Sequence, residues 1–342
     1  MLMMVAAVTR YHKIFGIDLS EEREEVATVS TSPDGETVIN TTLIGRDIRG
    51  FAGPVPLEVY IKDGVIVKVR LLDSDETPEF IGTVKNKGLL RRFEGHTPEE
   101  VVNMSVDAVS GATFSSKAVI ANVRAAAAYA LDESNGVLAA SESPDLDYKF
   151  FLTLAVILAG GVIPLFLRNR KYRIVQLVLN VIVLGFWGGT YLCYTRMVDY
   201  LGNGPGNFLL ALPLLLMLVA AFVYPMFRRP DHYCNWMCPY GSLQELVGKV
   251  VPVKFHLSKG AVQALTLFRD ALWFALMWLL WTGLWFDWMN YEVFAAFFIT
   301  TAGPVVLGIA GGFLLLSLVF HRPYCNFVCP TGTLFKLTEG RK

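Results

Sequence analysis

Two groups of residues in this chain stand at spacings that chemistry uses. The run Asp107-Ala108-Val109-Ser110-Gly111-Ala112-Thr113 sets a threonine hydroxyl beside a glycine, directly before a helix-forming stretch, Ser115–Arg124. Helix N-termini leave backbone N–H groups unpaired and carry positive dipole character, so anions such as phosphate settle there. Gly111 would let the backbone approach such a group closely. The plain alternative is a helix cap, with Thr113 or Ser115 closing the start of a helix over Ala118–Tyr129 and nothing bound.

The second group is a repeat. Tyr233-Cys234-Asn235-Trp236-Met237-Cys238-Pro239-Tyr240-Gly241-Ser242-Leu243 is matched by Tyr324-Cys325-Asn326-Phe327-Val328-Cys329-Pro330-Thr331-Gly332-Thr333-Leu334, and an Arg-Pro pair precedes each copy. Four convergent cysteinates suit an iron–sulfur cluster or a tetrahedral zinc. The C-x-x-x-C spacing differs from the C-x-x-C of common zinc ribbons. The proline after each pair matches the one that closes bacterial ferredoxin runs, although the full ferredoxin spacing is absent. Redox thiols, a disulfide or an unfilled site are the other readings. Cys193 stands apart and reads as a small apolar residue. The histidines are not paired within apolar runs, and His232 and His321 flank the cysteine motifs as outer partners or interfacial residues.

The elements that must position these groups fall into two halves. The chain has 342 residues, no formal net charge and 54% hydrophobic residues, with mean hydropathy +0.45. That is too apolar for an ordinary soluble enzyme, and nothing marks a nucleic-acid binder. Residues 1–131 read as one domain, 132–148 as a polar linker and 149–342 as a helical membrane part. Five apolar runs approach the ~20 residues that a bilayer core requires. They lie at Phe150–Leu167, Ile174–Cys193, Phe208–Phe227, Leu267–Phe286 and Ala302–Phe320. Tyr291–Thr300 is apolar but short, a re-entrant or interfacial piece.

Positive charge orients the runs. Arg168, Arg170, Lys171 and Arg173 follow the first, Arg228 and Arg229 end the third, and Lys249, Lys254 and Lys259 continue that loop. Arg322, Lys336, Arg341 and Lys342 follow the fifth. These ends read as cytoplasmic, which puts the N-terminal domain on the exoplasmic face and both cysteine pairs at the reducing inner face, where a disulfide is disfavoured. Trp281, Trp285 and Trp288 would form an outer aromatic belt. Met1–Val8 is too short for a span, so a membrane anchor is expected upstream of it.

In the N-terminal domain, Leu57–Lys62 alternates apolar and polar residues, Asp63-Gly64 is a hairpin turn signal, and Val65–Leu72 alternates again at Val65, Val67, Val69 and Leu71. The D-x-x-S-G-A-T run following such a hairpin resembles the site where FMN is attached by a phosphoester to the last threonine in the FMN-binding domains of NqrC-, RnfG- and NosR-type proteins. Asp75-Glu76-Thr77-Pro78 is similar to their E-T-P segment, which lies near the flavin ring; the alternative is a plain turn. The paired C-x-x-x-C-P motifs resemble the membrane parts of NosR-, NapH- and PceC-type proteins, with PceC the closer match in layout.

The resemblance implies an α+β FMN-binding domain followed by an all-α polytopic membrane domain of about five transmembrane helices. It implies covalent FMN on Thr113, with Asp107, Ser110, Gly111, Ala112, Glu76 and Thr77 around it. Cys234, Cys238, Cys325 and Cys329 would hold an iron–sulfur cluster, expected as 4Fe-4S. The expected role is transmembrane electron transfer between a cytoplasmic-side or quinol donor and an exoplasmic acceptor, as an oxidoreductase component in a multi-pass prokaryotic cell membrane. Expected partners are membrane lipid, quinone, an exoplasmic redox enzyme or other membrane electron-transfer subunits, and a flavin transferase, but no nucleic acid. A redox sensor or a maturation factor for an exoplasmic reductase is the alternative. The hydrocarbon core is about 30 Å thick, so a further carrier is expected between the two redox groups.

Overall fold

The hairpin forms as the alternation requires. In the computed structural model, Leu57–Lys62 pairs with Val65–Leu71 in antiparallel register, Leu57 opposite Leu71. Asp63 and Gly64 turn the chain with φ +52° and +79°, the left-handed pair that a two-residue hairpin loop needs. The face differs from the alternation at one point. Tyr60 opposes Lys68 while Ile61 opposes Ile66, so Val67 is bulged out of register. The inward residues become Ile66 and Val69, and Val67 is exposed. A bulge shifts the side-chain period by one residue, which is why the strict V-x-V-x-V reading fails here.

The structure describes residues 2–19, 27–131, 148–167, 169–204, 208–227, 229–251, 255 and 257–338. The expected linker over 132–147, the charges Arg168, Arg228, Lys254, Arg341 and Lys342, and His256 lie outside them. The chain divides into two compact units. One comprises His12–Pro144 with Asp199–Asn207, and the other Met1–Tyr11, Asp145–Val198 and Phe208–Lys342. Residues 1–11 therefore group with the helices rather than with the N-terminal domain.

The first unit is α+β. A two-stranded pair, β1 (Lys13–Ile14) and β2 (Ile17–Asp18), precedes a four-stranded antiparallel sheet in sequential order. Its strands are β3 (Val29–Thr31), β4 (Thr37–Asn40), β5 (Leu57–Lys62) and β6 (Val65–Leu71). The long helix Thr113–Leu131 packs against the sheet, with Ala125–Ala128 all buried and Leu57, Val59 and Ile66 of the sheet fully buried. Small side chains permit that close approach, and Asn122 fixes it by donating to the Val55 carbonyl at 3.1 Å. The short helix Pro98–Asn103 starts with a capping box in which Thr97 and Glu100 satisfy each other's backbone N–H groups.

The second unit is mostly helical. Two helices are long and apolar enough to cross a membrane by length and composition, Tyr148–Phe166 and Lys259–Thr282, and they correspond to the first and fourth expected runs. The others form shorter or interrupted helices among the described residues. The second run is split between an α-helix, Arg170–Leu179, and a π-helical segment, Asn180–Trp187. The third ends at Phe222 and passes into a 3₁₀ turn containing Pro225, because proline removes a backbone donor. The fifth begins at Pro304 and ends at Val319. Tyr291–Thr300 takes the form of short 3₁₀ turns with Val293, Phe294 and Phe297 buried. Trp288 is also buried, its ring 5.1 Å from that of Tyr194. Packing against Tyr194 removes it from the exposed aromatic belt expected of it.

A polar ladder joins these helices to the first cysteine motif. Gln176 donates to Val156 O and to Asn180 Oδ1, and Asn180 donates to Trp236 O at 2.8 Å and to Ser242 Oγ at 3.0 Å. Buried amides without partners are costly, so a fully satisfied ladder fixes one arrangement of the helices that share it. Gly160 allows the close approach. A Cβ there would stand 2.7 Å from Trp236 O.

Candidate functional sites

In the α+β unit, Thr113 is the first residue of its 19-residue helix and is exposed. Asp107 and Ser110 are exposed on the segment before it, Ala112 is buried, and Gly111 turns with φ +91°. Ser116 shapes this mouth. Its hydroxyl donates to Ala112 O at 2.6 Å and accepts the Val109 N–H at 3.0 Å, folding the loop against the first helical turn. The result is an accessible hydroxyl at a helix N-terminus, a geometry that receives an anion.

The E-T-P segment comes to the same region. Phe51 packs edge-on to Phe80 at 5.1 Å and lies 6.4 Å from Phe114, the neighbour of Thr113. Glu76 and Thr77 are both buried. The Glu76 carboxylate accepts the N–H groups of Phe51 (2.6 Å), Ala52 (3.1 Å) and Thr77 (2.9 Å). Burial nevertheless pushes its pKa up to about 7 against those three bonds. Ser115 holds a fully buried hydroxyl near enough to act on Glu76, yet without a hydrogen bond of normal geometry. Glu76 thus holds the loop over Gly50–Gly53. Gly50 is required there, since a Cβ would fall 1.8 Å from Glu76 Oε2. The sequence reading did not single out Gly50–Ala52 as part of this wall.

In the helical unit, the sequence repeat is also a repeat of hydrogen bonds. Asp231 (φ +54°) and Arg322 (φ +47°) start equivalent five-residue helices, His232–Trp236 and Pro323–Phe327. Cys238 N and Cys329 N both donate to the carbonyl of the motif tyrosine, Tyr233 or Tyr324, at 2.9 Å. Pro239 and Pro330 open the helices that follow, Pro239–Gly248 and Pro330–Thr338, since proline suits a first helical position. The sulfur of Cys238 then accepts Gly241 N–H at 3.4 Å, and that of Cys329 accepts Gly332 N–H at 3.3 Å. Ser242 and Thr333 donate back to the Cys238 and Cys329 carbonyls.

All four cysteines line one small cavity, walled by Tyr233, Tyr240, Phe294, Tyr324 and Phe335. None of them is in a disulfide. Burial raises the pKa of every one of the four thiols, Cys238 to about 12, and Cys234, Cys238 and Cys329 each feel at least one other of the four as a neighbouring charge, as Cys234 feels Cys238, Cys325 and Cys329. A metal that replaces the thiol protons removes that cost. Among the described residues no three His, Cys, Asp or Glu side chains stand close enough to hold a single metal ion. Four cysteines lining one cavity are a ligand set that an iron–sulfur cluster takes. Cys193 is buried but does not line the cavity. Neither do the flanking histidines. His232 packs on Tyr224 with its ring nitrogen 3.1 Å from Gly160 O, and His321 is exposed.

Three polar residues support the motifs, Gln244 and Glu245 just beyond the first copy and Arg322 of the Arg-Pro pair before the second. Glu245 is buried and holds Arg173 in a two-pronged bond at 2.7 Å for both contacts, pairs with Arg322, and meets Lys249 at 3.2 Å. Burial alone would raise the Glu245 pKa; the hydrogen bond from Arg173 and the charges of Arg322 and Arg173 outweigh it and hold the carboxyl at about 2. Arg322 also donates to Cys234 O and Asn235 Oδ1, so an arginine of the second copy ties down the first. Gln244 crosses in the other direction to Cys325. The available signal was a Gln-Glu pair directly after an apolar, cysteine-bearing turn.

The chain thus carries two candidate sites, an exposed hydroxyl at a helix mouth on the α+β unit and a cavity lined by four cysteines on the helical unit. Residues 50–128 match the family model of the FMN-binding domain, and residues 210–258 and 302–342 match that of the 4Fe-4S binding domain. No curated protein and no solved structure matches the chain. An FMN-binding domain and a 4Fe-4S binding domain on one chain support an electron-transfer role. The residues present fit both groups. The cluster would have four cysteine ligands, N–H donors to their sulfurs and an aromatic wall, and the flavin phosphate an exposed hydroxyl at a helix mouth.

Proposed function

We propose that this chain is a membrane electron-transfer flavoprotein of the NosR/PceC type, with FMN joined through a phosphoester to Thr113 and one 4Fe-4S cluster on Cys234, Cys238, Cys325 and Cys329. The observation that carries this reading is the convergence of all four cysteines, from two distant copies of one motif, on a single aromatic-walled cavity. When bound, the two groups supply one-electron and two-electron redox chemistry. The chain's own residues hold them. Gly241 and Gly332 give N–H bonds to sulfur, the Glu245 cluster locks the two motifs together, and the helix starting at Thr113 presents the attachment hydroxyl.

We further propose a multi-pass membrane location, with the FMN domain exoplasmic and the cysteine motifs at the cytoplasmic side, a quinol or cytoplasmic-side donor, an exoplasmic redox enzyme as acceptor, and a flavin transferase for attachment. The exposed apolar side chains Leu267, Phe268, Phe274 and Trp278 along Lys259–Thr282 support the membrane location, since lipid would cover such a stripe. The test is a pair of variants of the full chain, purified anaerobically from membranes. Thr113→Ala should abolish flavin fluorescence of the band in a denaturing gel while leaving iron content unchanged. Cys234→Ser should deplete iron and leave fluorescence intact. A Thr113→Ala band as bright as wild type would sink the attachment, and zinc without iron in the wild-type protein would sink the cluster.

A further inference from the structure

The two cysteine motifs share their backbone hydrogen bonds but differ in the residue that follows each. Gln244 follows the first motif, and the residue at the same place after the second is Phe335. Gln244 is fully buried. Its Nε2 lies 3.2 Å from Cys325 Sγ. Its Oε1 accepts the Tyr324 backbone N–H at 3.2 Å and lies 3.4 Å from Ser317 Oγ. A backbone N–H can only donate, so the amide oxygen has to face Tyr324 and the NH₂ group has to face the sulfur. The orientation is therefore set by the fold. Phe335 offers no donor, and it packs instead on Tyr233 and Phe222. Among the described residues no hydrogen bond reaches the Cys234 sulfur, the counterpart of Cys325, while Cys238 and Cys329 each accept one from the glycine three residues on.

We infer that Gln244 is a potential-setting residue that makes the two halves of the cysteine cage electronically unequal, with the Cys325 side the more easily reduced. The physical basis is that hydrogen bonds to ligand sulfur stabilise the more negative, reduced cluster and raise its potential. Gln244 would act through Cys325 and not touch the iron, so it is a positioning and tuning residue. It is contributed by one motif to the other, so the asymmetry cannot arise within either copy alone. This rests on the cluster reading above.

The test is an EPR-monitored redox titration of the full-length, cluster-loaded protein. Gln244→Met keeps the volume and removes the donor. It should shift the ratio of reduced to oxidised cluster about tenfold toward oxidised at a fixed ambient potential, which for one electron is ~59 mV, with iron content and gel fluorescence as in wild type. Gln244→Glu keeps the oxygen for Tyr324 and places an acceptor against the sulfur, so it should shift the ratio in the same direction and further. A third measurement needs no variant. Wild-type protein carrying ¹⁵N in its glutamine side chains should show a weak nitrogen coupling in pulsed EPR of the reduced cluster. An unmoved potential in cluster-loaded Gln244→Met, or no such coupling in the labelled wild type, overturns the inference while leaving the cluster in place. A wild-type protein without iron overturns the cluster itself and the inference with it.

Discussion

Thr113 stands exposed at the mouth of one helix and owes its setting to a local loop pinned by Ser116, whereas the four cysteines are gathered from two copies of a motif and closed in by aromatic rings. A group joined by a covalent bond needs only an accessible attachment point and an anion-friendly surround. A group held by coordination needs every ligand delivered at once. In the α+β unit the buried carboxylate Glu76 holds one loop, while in the helical unit Glu245 anchors a network with Arg173, Arg322 and Lys249. These two buried carboxylates are perturbed in opposite directions, so their own contributions to stability depend on pH with opposite signs.

The largest effect is expected at Glu245. Glu245→Gln leaves Arg322 buried without its carboxylate, and breaking such a pair typically costs about 3–5 kcal/mol. All seven tryptophans lie between Trp187 and Trp288, outside the α+β unit's residues, so tryptophan fluorescence reads this loss selectively. In the wild-type protein the Glu245 contribution is present above its unfolded value near 4.5 and is lost as pH falls through about 2. A variant melting within a degree or two of wild type at neutral pH would show that the network is not what holds the motifs together.

Glu76 should do the reverse. Its folded pKa, raised by burial to about 7, favours the protonated form, so its contribution is full below about 4.5 and is lost as pH rises through about 7. At 1.36 kcal/mol per pKa unit the swing is on the order of 3 kcal/mol. It should appear as a falling denaturation midpoint of the α+β unit between pH 5 and 8, followed by hydrogen exchange over 50–80 and corrected for intrinsic rates. Glu76→Gln should flatten that slope; an equally steep variant would assign it to another group.

The smallest effect separates the two motif copies. A Cβ at Gly241 would stand 2.8 Å from Cys234 O, while at Gly332 the nearest atom is 3.6 Å away. Gly241→Ala should cost about 1–3 kcal/mol, as overpacking does, and lower iron occupancy. Gly332→Ala should be close to neutral in both. Equal losses in the two variants would mean that the copies are packed alike.

Much of this was legible in the sequence. The hairpin was legible because Asp63-Gly64 sits between alternating segments, and the cysteine cage because the same eleven-residue pattern occurs twice. The bulge at Val67 was not, because Val65-Ile66-Val67 is apolar at both parities and sequence alone cannot say which side faces in. The apolar runs were visible as runs, but their helices were not: Pro225 and the π-helical stretch Asn180–Trp187 divide what hydropathy reads as continuous. Gln244 and Glu245 escaped because a polar residue on a helix ordinarily marks the solvent face, Arg322 was legible only as a charge beside the second copy, and only the tertiary structure shows how they link the two motifs.

The exchange of Gln244 and Arg322 between motifs has a consequence for how the molecule is made. Cys325 and Cys329 are synthesised only after the helices Lys259–Thr282 and Pro304–Val319, and each motif lacks its cross-copy support until then. On the proposed four-cysteine cluster, Cys234 and Cys238 wait for the second motif to be made, so metal loading becomes a late step of biogenesis that follows synthesis of Cys329.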